Sequence, residues 1–99
     1  MPTNANIKMF KSAAHMANNQ ATAGAASAQL VAARATRRSV TVRNIHATES
    51  CYIGYGTVSA ANGFLLKAGE SISVDCVGAI NGLRAGSEDV KICYLETYD

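Results

Sequence analysis

Two histidines, three cysteines, scattered serines and a knot of arginines are the residues of this sequence that could do chemistry. His15 and His46 stand far apart with no Asp or Glu at ligand spacing inside one element, whereas a zinc or iron centre needs three or four converging ligands. Cys51, Cys76 and Cys93 are odd in number and widely spaced, which fits neither a Cys-x-x-Cys metal knuckle nor a closed disulfide set. They read as small buried hydrophobes with free thiols. No Gly-x-Ser-x-Gly elbow occurs, and neither Ser59 nor Ser71 has a base that the sequence can name. Gly54 and Gly56 do not precede a helix, so a phosphate-cradling loop is unsupported. The expectation is a chain that is not an enzyme and carries no catalytic residue, metal or cofactor.

Binding chemistry is better represented. Arg34, Arg37, Arg38 and Arg43 could meet phosphates, but nucleic-acid binding is helped by stacking aromatics. No aromatic residue lies between Phe10 and Tyr52. The basic turn is therefore expected to be solvated or paired with acids of a neighbouring subunit rather than to hold nucleic acid. Tyr52, Tyr55, Tyr94 and Tyr98 could together stack on pyranose rings, although tyrosines more often bury the ring and leave the hydroxyl at the rim.

The elements that must position these groups are short alternating runs cut by turn residues. Val40 and Val42 share one face of a strand over residues 39–43, with Ser39, Thr41 and Arg43 on the other. Residues 51–55 form the next candidate, and 57–62 a loop or short edge strand. Asn62-Gly63 and Ala68-Gly69 are turn pairs that supply positive φ, the first ahead of Phe64-Leu65-Leu66 and the second ahead of a strand over 71–77. Gly78 and Gly82 bracket Ala79-Ile80-Asn81, then Leu83-Arg84 leads to a turn at 85–87. Residues 89–96 make the longest strand candidate, apolar on both faces and therefore central or covered by a neighbour. The rhythm is that of an all-β, small antiparallel β-sandwich, jelly-roll-like, occupying residues 29–99.

Before it the pattern changes. Over residues 1–20, Ile7, Met9, Phe10, Ala13, Ala14, Met16 and Ala17 fall on one half of a helical wheel, with Lys8, Lys11, Ser12 and His15 on the other. This predicts an amphipathic helical arm used in assembly. Residues 21–28 are small and read as a linker or an edge strand. Partner contacts are expected from Ile7, Met9, Phe10, Ala14 and Ala17 as apolar anchors, with Lys8, Lys11, Arg34, Arg37 and Arg38 meeting acidic neighbours.

Composition sets the bounds. Ninety-nine residues, 48% of them hydrophobic, suffice for one domain, which buries roughly 60 to 70% of its unfolded surface. No apolar run approaches the ~20 residues of a membrane span, and the first twenty residues lack the apolar core of a secretory signal. A soluble protein made in the cytoplasm is expected. The net charge of +2 is unevenly spread: six basic residues and no acid precede Glu49, and seven acids then face only Lys67, Arg84 and Lys91. Such a chain can pair head to tail with its copies, lay its basic end on an acidic partner, or neutralise its two halves inside one fold.

Arg37-Arg38-Ser39-Val40-Thr41-Val42-Arg43-Asn44, then Tyr52-Ile53-Gly54, then Asn62-Gly63-Phe64-Leu65-Leu66-Lys67-Ala68-Gly69-Glu70-Ser71, and finally Val90-Lys91-Ile92-Cys93-Tyr94-Leu95-Glu96 resemble the strands and turns of small β-sandwich proteins encoded among the structural genes of tailed bacteriophages. The similarity spans residues 29–96 and leaves the arm uncovered. Tyr55 stands where the group often has a second glycine, and the cysteines replace aliphatic or polar residues. The resemblance implies a virion component, a head decoration, cement or head-fibre protein, without chemistry or cofactor. It implies the major capsid protein or another virion protein as partner and homo-oligomers, for which a trimer would suit local three-fold axes. A tail- or fibre-associated module recognising host surface glycans is the alternative.

Overall fold

A computed structural model describes residues 12–99. Eight strands follow one another: β1 (His15–Ala23), β2 (Ala28–Val31), β3 (Arg37–Asn44), β4 (Cys51–Gly54), β5 (Phe64–Leu66), β6 (Ser71–Val74), β7 (Ile80–Arg84) and β8 (Val90–Tyr98). They form two antiparallel four-stranded sheets, ordered β1-β8-β3-β6 and β2-β7-β4-β5. Neighbours in each sheet come from alternate ends of the sequence, the double Greek-key winding of a jelly roll. The all-β sandwich expected from the sequence is the fold observed, and no helix is present among the described residues.

Alternation places the core. In β3, Val40 and Val42 are buried while Thr41 and Arg43 face outward; in β8, Val90 and Ile92 are buried and Lys91 is exposed. Leu30, Val31, Cys51, Ile53, Leu66 and Ile80 close the core from the second sheet and its edge. Each such aliphatic side chain contributes about 1.5–3 kcal/mol by leaving water. On the outer face of the first sheet, hydroxyl pairs Ser39–Thr97 and Thr41–Ser73 bridge adjacent strands at 2.9 and 2.6 Å. Asn44 is wholly buried; it donates to the carbonyls of Glu49 and Leu66 and accepts the His46 N–H, stitching the β3–β4 connection to β5.

Three local expectations need correction. Residues 15–20, read as part of an amphipathic helix, are strand, and β1 runs without interruption across the expected boundary at residues 20 and 21. Alanine, methionine and asparagine suit either state on a helical wheel; pairing of all nine β1 residues with β8 decides it. Ile7, Lys8, Met9, Phe10 and Lys11 lie outside the described residues. Gly63 does not take positive φ, unlike Gly56 and Gly69. It is there for space, since a Cβ would come within 2.6 Å of Tyr52 Cβ. Gly82 brackets nothing: it sits within β7, where a Cβ would meet the Tyr52 carbonyl at 2.5 Å and Leu30 Cδ1 at 2.8 Å.

Candidate interaction surfaces

The basic cluster is built by the β2–β3 connection and turned inward. Arg37 is buried, donating from Nε to Glu96 Oε1 at 2.8 Å and from Nη1 to the carbonyls of Cys76 and Gly78 at 3.1 and 2.9 Å. Its Nη2 donates to the Ala32 carbonyl. Arg34 grips both Glu96 oxygens at 3.3 Å and lays its guanidinium 3.7 Å over the Tyr98 ring, which also meets His15 at 5.2 Å. Burial works to raise the Glu96 pKa, but the hydrogen bonds and charges of Arg37 and Arg34 prevail and hold it below the ordinary value. Arg38 donates to Asp99 at 3.1 Å on the surface.

This cluster fastens one end of the sandwich. It joins the start of β1, the end of β8, the β2–β3 connection and the β6–β7 connection. Within the described residues the acids that Arg34, Arg37 and Arg38 meet are Glu96 and Asp99 of the same fold; Arg37 is buried there, while Arg34 and Arg38 keep part of their side chains at the surface. Of the predicted anchors, Ala14 is exposed just before β1, and Ala17 is half-buried in β1 opposite Glu96.

The other chemistry-bearing groups are dispersed. His46 Nδ1 accepts the N–H groups of Thr48 and Glu49, so the ring closes a turn, and Nε2 lies 3.3 Å from Glu88. Burial pushes the Cys51 thiol up to about 11, whereas Cys76 is exposed. Among the described residues, no group of three His, Cys, Asp or Glu converges. The tyrosines do not share a face. Tyr52 lies between Leu65 and Leu83 on the outer side of the second sheet, Tyr94 packs against the core, Tyr98 belongs to the arginine cluster, and Tyr55 is 83% exposed in the β4–β5 connection.

Among the described residues, two concavities are candidate contact sites. On the outer face of the first sheet a shallow trough of about 670 Å³ mixes Asn18, Gln20, Thr41, Arg43 and Ser71 with Cys93 and Leu95. Between the edges of β5 and β6 an apolar cleft of about 340 Å³ opens among Ile53, Phe64, Ile72, Val74 and Ile80, with Tyr55 and Cys76 also lining it. Phe64 beside it is 53% exposed, and Val77, in the β6–β7 connection, 48%. Sequence reading missed this cleft, because only the winding that sets β5 and β6 on one side of the sandwich creates it.

No family model matches the chain. No curated protein matches it either. Solved structures share its fold. The stem and receptor-binding domain of spike protein P1 from bacteriophage PM2 superposes with a TM-score of 0.62 at 17% identity, covering 79% of this chain and 32% of that one. This chain thus spans about a third of that spike structure. A de novo designed double-stranded β-helix gives a TM-score of 0.55 at 10% identity, covering 81% and 97%. A structure of Bacillus endospore appendages, described as forming disulfide-linked pili, gives 0.54 at 18% identity, covering 85% and 84%. At these identities the likeness is one of fold.

Proposed function

We infer that this chain is a non-enzymatic structural component of a tailed-phage particle that decorates or cements the head, with the major capsid protein or a neighbouring virion protein as its partner. The observation that carries this reading is the division of its surface. Arg34, Arg37 and His46 are spent on internal fastening, while Tyr55, Phe64, Leu65 and Val77 remain exposed. Tyr55 and Phe64 come together at the apolar cleft, and a contiguous apolar surface of that kind supports a contact surface. A phage spike domain and a pilus-forming appendage among proteins of the same fold support an assembling role. A stable contact needs about 800 Å² from each partner, and repetition over a shell turns modest contacts into large collective reinforcement.

Imaging and mass spectrometry of purified particles test this. Multiple copies should sit at regular positions, and Tyr55→Asp with Phe64→Asp in the full chain should lower occupancy at least tenfold. Absence from particles, or unchanged occupancy of the double variant, refutes it. The trough on the first sheet favours a second reading, recognition of host glycans by hydrogen bonds from Asn18, Gln20, Thr41 and Arg43. Glycan-array binding abolished by Arg43→Ala would select that reading over decoration.

A further inference from the structure

β5 and β6 are the outer strands of the two sheets on one side of the sandwich, and among the described residues β6 pairs with β3 alone. Its second edge, Ser71–Val74, presents main-chain N–H and C=O groups without a strand partner among the described residues. The apolar cleft opens beside that edge, with half-buried Ile72 and Val74 as one wall and Ile53 and Ile80 among its other lining residues. A small apolar molecule could fill the cleft but would leave the strand edge unpaired. An extended peptide answers both, pairing its backbone with β6 while alternate side chains drop into the cleft.

This sequence contains a segment of that kind outside the eight strands. Ile7-Lys8-Met9-Phe10-Lys11 places Ile7 and Met9 on one side when extended, and its five residues span roughly 17 Å, enough to cover the four-residue β6. Charge agrees as well. The segment carries two lysines, and Glu70 and Asp75 directly flank β6, the nearest basic residues in sequence being Lys67 before Glu70 and Arg84 at the end of β7.

The geometry of β1 says which copy receives it. β1 is the far edge of the first sheet, with β8 and β3 between it and β6, and it begins at His15 opposite Tyr98. The described residues 12–14 therefore enter β1 from beyond the end of β8. From there the cleft of the same copy lies on the opposite side of the sheet, beyond β8 and β3, a separation that does not apply to the cleft of another copy.

We propose that residues 7–11 of one copy add as a strand to β6 of a second copy, with Ile7 and Met9 in its cleft, so that copies link head to tail. Such a heterologous contact closes into rings or extends as filaments according to the rotation between copies. The proposal goes beyond the virion reading and does not depend on it.

The test uses the full chain carrying Met9→Cys and Cys93→Ser, prepared in isotopically light and heavy forms, mixed equally and mildly oxidised. The expected product joins the introduced thiol to Cys76, with light–heavy pairs making up about half of the links. In parallel, the unmodified chain should sediment at two or more times 10.3 kDa, and Ile7→Asp or Met9→Asp should weaken self-association at least tenfold with an unchanged β-type circular dichroism spectrum. Links confined to light–light and heavy–heavy pairs would place the segment in its own cleft and overturn the proposal. So would a monomer that forms no such link, or association indifferent to the aspartate variants.

Discussion

Glu96 is 4% exposed and receives hydrogen bonds from two guanidinium groups. Removing the carboxylate would strand the buried Arg37 charge among carbonyls, so Glu96→Gln should cost about 3 kcal/mol in chemical denaturation at pH 7. The same pair gives the protein an acid limb. Because the folded pKa of Glu96 is depressed, the unfolded chain takes up the proton first as pH falls below the ordinary 4.5. The contribution of Glu96 is therefore complete above that value and is lost as pH drops through the lowered folded value. Denaturation midpoints between pH 7 and 2 should show a shallower acid slope for Glu96→Gln than for the natural chain. Among the thiols, Cys76 should react with iodoacetamide in the native protein while Cys51, buried and shifted to about 11, stays protected until unfolding. Mass mapping of the labelled peptides checks this. The sequence shows an arginine-rich turn but not its partner, since Arg37 and Glu96 are 59 positions apart and only the winding of the chain brings them together.

Strands with strict alternation were legible: β3, β4, β6 and β8 lie where Val40, Ile53, Ile72 and Ile92 place them. β1 was not, because its alanines and asparagines carry little preference and its state is imposed by pairing with β8. Glycines divide in the same way, into those that serve backbone angle and those that serve space. Gly56 has φ of 72°, and nothing lies within 4 Å of the point a Cβ would occupy, so Gly56→Ala should cost only the left-handed penalty, about 1 kcal/mol. Gly82→Ala pushes a methyl against the Tyr52 carbonyl and Leu30 in the middle of the second sheet, and should cost about 2–3 kcal/mol. Thermal unfolding of the two variants side by side checks the order; equal losses would mean that the second sheet yields to admit the methyl.

At the scale of the whole molecule, the winding leaves the two sides of the sandwich unequal. On one side β1 and β2 contact each other, and the arginine cluster fastens the end where β1 begins and β8 finishes. On the other, β5 and β6 stand apart around an apolar opening. Protection against amide exchange should follow that difference, because local opening is cheapest where buried contacts are fewest. In dilute solution the amides of Val40, Val42 and Ile92, in the inner strands β3 and β8, should exchange slowest, and the amides along the unpaired edge of β6 fastest. Raising protein concentration should then slow exchange along β6 while leaving β3 unchanged, since strand addition from another copy covers the β6 edge and adds nothing to a ladder already paired on both sides. Deuterium uptake followed by mass spectrometry over a hundredfold concentration range reads both trends. Exchange along β6 that ignores concentration would mean that the open side of the sandwich faces solvent rather than another copy, and the exposed Phe64 and Tyr55 would then be surfaces for a different protein.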